Sequence, residues 1–534
     1  MTARALPADE GPEGFRVRRL RVLGRNDLLL WGTAALLWLA ANVLLALGWL
    51  RADNLEGHAV VFLVLSALLL RTSLNHSYAL AGLLLMRRAA PPPPPPSGRR
   101  VALATTFVPG LEPLPVLELT LEAMVRVRGA HDSWVLDEGD DPEVKALAER
   151  LGARHFSRKG RPEWNTPSGP FKARTKYGNV NAWLDAVGFA GYDVLVELDT
   201  DFAPEPGCLE RTAGYFEDPS VGWVQGPPEY RNLDSGWIAR GAWEQDHYNK
   251  VLQLSLNGLG APLFVGCHNA SRIAALRQVG GFADHEADDA LVTRRLLADG
   301  WTGVFVPEVL SRGLAPEDLR TYCKQQYRWA HSLLNMKLYR ERPLLSRMAP
   351  LTRFAYALHG TYYLDGLFET IGLALACWML VTGDVPPALA DARLATFTFL
   401  PYVLVQLALW LLRRRWYILP AHRKGIPWRS VLTDFAARPF YLLAAFKALV
   451  PTSRRYLVTR KDADPRSPWP FLVPNLVMGV VVASFFAASL VNGVPGTGAL
   501  RLPVALWLAL DAALAAGVVL LRLRRPRAPK TAGA

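Results

Sequence analysis

The chain has 534 residues, 51% of them hydrophobic and 20% charged, and a formal charge of +13 at pH 7. That length exceeds one compact core, so two or more structural units are expected. The positive excess sits in clusters beside apolar runs (Arg16, Arg18, Arg19 and Arg21; Arg87 and Arg88; Arg413, Arg414 and Arg415; Arg522, Arg524 and Arg525), the pattern of loops on the cytosolic face of a membrane. No basic stripe interleaves with stacking aromatics, which argues against a nucleic-acid partner.

In chain order, residues 1–27 form a basic cytosolic segment, and 28–50 is an apolar run of helix length, too long for a signal-peptide core. A second run, 58–86, carries Arg71, Asn75 and His76 and ends at Arg87-Arg88, so it returns the chain to the cytosol. A proline run at 91–96 is a semi-rigid spacer within the linker 89–99.

Residues 100–312 read as a soluble α/β unit. Strands are predicted at 101–108, 133–137, 193–199, 221–225, 263–267 and 302–306, and helices at 142–153, 179–190, 207–218 and 288–299. Such alternation predicts a mainly parallel sheet that binds ligands at the carboxyl ends of its strands. Interface helices follow at 313–350. Spans are predicted at 364–381, 394–412, 471–491 and 502–521, within membrane units 351–412 and 471–521.

The stretch 431–450 contains Asp434, Arg438, Pro439 and Lys447 and has two basic flanks, so within 413–470 it reads as a cytosolic interface helix. Six spans then leave both termini, including the basic tail 522–534, and the α/β unit on the cytosolic side. Arg71 and Asp511 fall at membrane depth, where they either face a bundle interior or snorkel to the interface. Cys208, Cys267, Cys323 and Cys377 show no disulfide or metal spacing and read as reduced thiols.

Three acid clusters stand out. Asp137-Glu138 and Asp199-Thr200-Asp201 each follow an apolar strand, and an Asp-x-Asp turn offers hard oxygen ligands to a divalent ion that can neutralise a diphosphate. Glu286-Ala287-Asp288-Asp289 opens a helix. Its acids either favour the helix N-terminus or supply a general base. Gln325-Gln326-Tyr327-Arg328-Trp329 lies on a helical pattern; Arg suits a diphosphate and Trp a sugar face, while the plain alternative is an amphipathic helix with an interfacial Trp.

In this order the motifs resemble those of the processive membrane synthases of glycosyltransferase family 2, which include cellulose, chitin and hyaluronan synthases. The resemblance implies a GT-A catalytic domain inserted between transmembrane helices and a UDP-sugar-dependent hexosyltransferase in the cell (inner or plasma) membrane.

It assigns Asp137 and Glu138 to the uridine, Lys176 of Lys176-Tyr177-Gly178-Asn179 to the diphosphate, and Asp199 and Asp201 to Mg²⁺ or Mn²⁺. Cys267 and His268, in the segment 264–269, and Asp288 line the acceptor end, and Asp289 is the base. Gln325, Arg328 and Trp329 match Gln-x-x-Arg-Trp, with Trp329 under the acceptor and Arg328 at the diphosphate. Thr459 and Lys461 belong to Tyr456-Leu457-Val458-Thr459-Arg460-Lys461, which resembles a gating loop over the nucleotide. The implied partners are a UDP-sugar (UDP-glucose favoured), a polysaccharide acceptor, the lipid bilayer and accessory export subunits.

The pattern departs from the family at Gly110-Leu111-Glu112, at Glu138, at Ala287-Asp288 and at Asp462. Two other readings stay open: a non-processive transferase that adds one sugar to a lipid, and a catalytically inactive membrane scaffold or transporter.

Overall fold

The computed structural model describes residues 14–245, 248–451 and 468–523. Its centre is a seven-stranded sheet of β1 (Val101–Phe107), β2 (Asp132–Asp137), β3 (Arg154–Phe156), β4 (Val194–Leu198), β5 (Val221–Gln225), β6 (His268–Arg272) and β7 (Thr302–Phe305). The spatial order is β7-β5-β6-β4-β1-β2-β3. β6 runs antiparallel to both neighbours, and every other pairing in the sheet is parallel.

Alternate residues of β1 point to opposite faces, and both faces are covered. Val101 and Leu103 pack with Leu117, Leu121 and Met124 of the helix Leu114–Val125. Ala102 and Ala104 pack with Trp134, Trp183 and Trp223 on the other side. This two-sided burial is why the strands read as continuous apolar runs.

The expected α/β unit with a mainly parallel sheet is present, with one correction in its middle. The run 263–267 predicts a strand, but the chain there is irregular and the next strand, β6, begins at His268. Side chains satisfy the backbone of that run: Gln253 bonds Leu263, Thr293 bonds Phe264, Gln225 bonds Val265 and Asp289 bonds Gly266. With these groups already engaged, no ladder is needed.

Helix starts follow capping chemistry. Asp141 accepts from Glu143 N–H at 2.8 Å, Thr175 from Gly178 N–H at 3.1 Å and Asp318 from Thr321 N–H at 2.8 Å. The Thr175 cap starts the helix Lys176–Trp183 three residues before the predicted start at 179.

Among the described residues, six helices are long and apolar enough to cross a membrane: Arg25–Trp49, Ala59–Leu85, Pro350–Thr382, Ala392–Trp416, Trp469–Val491 and Gly498–Leu520. The helix Trp428–Ala448 is not one of them. It buries Leu432, Phe435, Ala436 and Tyr441 in the core that also holds Tyr322, Cys323 and Ala330 of the helix Leu319–Met336. Arg71 pairs with Asp365, and its guanidinium lies 4.1 Å from the Phe368 ring centroid, so it faces a neighbouring helix. Asp511 is buried where the helix carrying Gly479 passes close to its carboxylate.

Candidate active site

A cavity of about 970 Å³ opens at the carboxyl ends of β1, β2 and β4. This is where an α/β sheet presents loops rather than ladder partners. Lys176, Asp199, Asp201, Asp289, Arg328 and Trp329 all reach its wall, as do Glu138, Cys267, Asp288 and Gln325.

The Asp199-Thr200-Asp201 turn is fixed from several sides. Asp199 N–H donates to the Cys267 carbonyl at 2.9 Å. Thr200 Oγ1 donates to Thr106 O at 2.5 Å and to Glu112 Oε1 at 2.8 Å. Asp201 is fully buried, and its Oδ2 accepts from Leu314 N–H at 2.8 Å.

Lys176, the first residue of its helix, places Nζ 2.6 Å from Asp199 Oδ1, 2.9 Å from Glu197 Oε1 and 2.6 Å from Gly266 O. Burial raises the proton affinity of Glu197, and the Lys176 ammonium opposes that effect.

Asp289 accepts from Gly266 N–H at 3.2 Å through Oδ2 and from Ala290 N–H at 2.6 Å through Oδ1. Loss of solvation raises its carboxyl above the ordinary value, against those two backbone donors. Asp288 is raised further, first by desolvation and then by the charge of Asp289. A carboxylate with raised proton affinity can accept a hydroxyl proton near neutral pH.

Trp329 and Arg328 project from the helix Leu319–Met336. Trp329 remains 37% exposed, a flat apolar face open to a ligand. On the same helix, Gln326 is held by the Tyr441 hydroxyl at 2.9 Å, which ties this wall to the helix Trp428–Ala448.

Two expected contact residues lie behind the wall. Asp137 is fully buried and holds the turn after β2: it accepts from Gly139 N–H at 2.8 Å and Asp141 N–H at 2.5 Å, with His155 Nε2 at 3.1 Å. His268 is buried on β6, stacked on Phe202 and 2.9 Å from Gly226 O, and burial pushes it down to about 4. The Cys267 thiol, which does reach the cavity, lies 3.1 Å from its Nδ1. Thr459 and Lys461 lie outside the described residues.

The structure adds a residue with no sequence signal. Arg158 is 1% exposed and grips Glu138 through Nε at 3.0 Å and Nη2 at 2.8 Å. It also donates to the carbonyls of Trp164, Lys172 and Thr175, fastening the loop that leads to Lys176. Glu197 is likewise a single acid inside an apolar strand, part of a motif whose other acids drew the attention.

Among the described residues, no group of three or more His, Cys, Asp or Glu side chains could hold a metal ion. The protein offers two carboxylates, Asp199 and Asp201, on one cavity wall. That donor set fits a hard divalent cation whose remaining ligands are water and substrate phosphates.

Residues 194–452 match the family model described as Glycosyl transferase family group 2. The chain carries a family 2 glycosyltransferase domain. The match begins at β4 and runs past the helix Trp428–Ala448. Cellulose synthase 1 of Komagataeibacter xylinus is 28% identical over 283 residues, 48% of this chain and 17% of that protein. The UDP-forming cellulose synthase 1 catalytic subunit of the same organism is 28% identical over 243 residues, 43% of this chain and 30% of that protein. A protein of Oryza sativa subsp. japonica described as "Probable glucomannan 4-beta-mannosyltransferase 3" is 29% identical over 211 residues, 38% of this chain and 37% of that protein.

The chain spans 17% to 40% of the length of such curated relatives. Among solved structures, glucosyl-3-phosphoglycerate synthase from Mycobacterium tuberculosis, in complex with Mn²⁺, UDP and glucosyl-3-phosphoglycerate, aligns with 18% identity and a TM-score of 0.31. The alignment covers 47% of this chain and 80% of that one. The transferase domain is an α/β unit on a mainly parallel sheet, and with six apolar helices before and after it in the described residues the chain is a multi-pass membrane protein.

Proposed function

We propose that the transferase moves a sugar, with inversion, from a UDP-sugar to the end of a β-linked polysaccharide, with UDP-glucose the favoured donor. The observation that carries this reading is the meeting of Lys176, Asp199, Asp201, Asp289, Arg328 and Trp329 on one cavity. Relatives named as UDP-forming cellulose synthase catalytic subunits support the donor class.

Asp199 and Asp201 would hold Mg²⁺ or Mn²⁺, which when bound supplies charge neutralisation at the diphosphate. Lys176 and Arg328 add fixed positive charge for the same oxygens. Trp329, with Gln325, holds the terminal acceptor sugar in line. Asp289 takes the proton from the acceptor hydroxyl as its oxygen bonds to the anomeric carbon. The bond from that carbon to the diphosphate oxygen breaks, and UDP leaves with the electron pair. Glu138 shapes the nucleoside end, and Cys267 and Asp288 border the acceptor. Asp137 and His268 act from behind, through the turn after β2 and through Cys267.

We assign the transferase to the cytosolic face of the cell membrane, as residues 100–312 between spans at 28–88 and those at 351–412 and 471–521. The interface helices 313–350 and the segment 413–470 join it to the bundle, which carries the product outward, with accessory export subunits beyond it.

The test is UDP release from purified membranes supplied in turn with several UDP-sugars, followed by mass analysis of the product. Polymer from one donor supports the reading. A lipid carrying one sugar overturns the polymer assignment, and no UDP release with any donor overturns the transferase assignment.

A further inference from the structure

Glu197 is an acid in the middle of a strand whose five residues are all buried. Its side chain is 3% exposed, beside a Lys176 side chain that is 10% exposed. It faces Asn269 directly across the antiparallel pair of β4 and β6, and Asn269 Nδ2 donates to Glu197 Oε2 at 3.3 Å. Asn269 is in turn fixed by Ser271, whose Oγ donates to Asn269 Oδ1 at 3.0 Å.

An ammonium has three protons, and Lys176 directs its Nζ at three acceptors: Glu197 Oε1, Asp199 Oδ1 and Gly266 O. A diphosphate oxygen can reach that ammonium only if one acceptor gives way. Gly266 O belongs to a backbone segment braced by side chains, and Glu197 is locked in the sheet. The Asp199 side chain, 30% exposed at the cavity, is the one able to turn.

We propose that Glu197 is a positioning residue for the donor: it keeps Lys176 aimed into the cavity and stays as its counter-ion when Asp199 yields to a diphosphate oxygen. The proposal rests on the reading of Lys176 as a diphosphate contact. It gives the buried acid a role that packing does not explain, because a Leu or Val there would suit the sheet.

The experiment uses the full chain in detergent, with UDP binding by calorimetry and initial rates against UDP-glucose. Glu197→Gln keeps the shape and an acceptor for Asn269 but removes the charge. We expect donor KM and UDP Kd to rise about tenfold, the weight of one charge-assisted contact, with kcat within about twofold of the parent. Adding Asn269→Asp returns a carboxylate to the same buried pocket, and the double variant should recover much of the loss. Unchanged KM and Kd in Glu197→Gln overturn the proposal if Lys176→Ala raises them. If Lys176→Ala also leaves them unchanged, the diphosphate reading of Lys176 fails first. A fall in kcat without a change in KM or Kd overturns the proposal as well. If Glu197→Gln does not fold, Glu197→Asp decides by the same two readings, with a smaller rise expected and no rise overturning the proposal.

Discussion

On the cavity wall made by strand ends, acids are matched to cations: Glu138 to Arg158, and Glu197 and Asp199 to Lys176. On the adjoining wall, at the start of the helix Asp288–Ala298, Asp289 is held by the backbone N–H groups of Gly266 and Ala290, and burial raises it and its neighbour Asp288. The first arrangement fixes charge in place. The second leaves two carboxyls with raised proton affinity. A site that must grip an anionic donor and also accept a proton needs both, and Gly266 joins them: its carbonyl accepts from Lys176 and its N–H donates to Asp289.

Replacing Asp289 breaks the second wall and carries the largest expected effect. Asp289→Asn should lower kcat by about 10²–10⁴-fold, the range for a lost general base, while donor KM stays within about threefold. Initial rates of UDP release measure both. Undiminished kcat would remove Asp289 from the chemistry.

Arg158 tests the first wall. Removing it strands Glu138 and several carbonyls, and breaking a buried pair costs about 3–5 kcal/mol. Arg158→Gln should therefore lower the unfolding midpoint clearly in a thermal scan of the detergent-solubilised chain. Arg158→Gln with Glu138→Gln should recover part of the loss, because no lone carboxylate then remains.

How legible these walls are in sequence depends on what holds them. β5, at Val221–Gln225, has the predicted bounds because its apolar run coincides with its ladder. β6 reads His268-Asn269-Ala270-Ser271-Arg272 and has no apolar signature, yet all five residues are buried. Its polar side chains are satisfied by Gly226, Glu197 and the carbonyls of Phe216 and Val221. Those partners lie tens of residues away, so no local pattern announces the strand. The run 263–267 errs the other way: apolar side chains suggest a strand, while Gln225, Gln253, Thr293 and Asp289 occupy its backbone. Asp199, Asp201, Asp289 and Trp329 were legible because their spacing within motifs survives without the fold. Arg158 was not, since its meaning lies in a loop it closes through space.

Trp329 gives a smaller effect, on the acceptor side alone. Trp329→Ala removes a stacking face of the kind that contributes about 1–3 kcal/mol in ring recognition. Acceptor-dependent rate should fall about tenfold while UDP Kd stays unchanged, which separates the helix wall from the strand-end wall. A matching loss of UDP affinity would mean that the two walls are not independent.

The smallest expected effect is a displacement along the pH axis. Asp289 has a raised proton affinity, so it holds its proton to higher pH than an ordinary carboxyl. Catalysis needs the unprotonated form. The rate must therefore fall, as pH is lowered, at a point above the usual carboxylate range. Asp288 is raised further, by burial and then by the charge of Asp289, so it keeps its proton while Asp289 ionises. Asp288→Asn mimics that neutral acid. The acid limb of kcat should then keep its raised position, with the plateau rate little changed. A limb that moves to lower pH in Asp288→Asn would mean that Asp288 is already charged when Asp289 titrates, and would overturn this order.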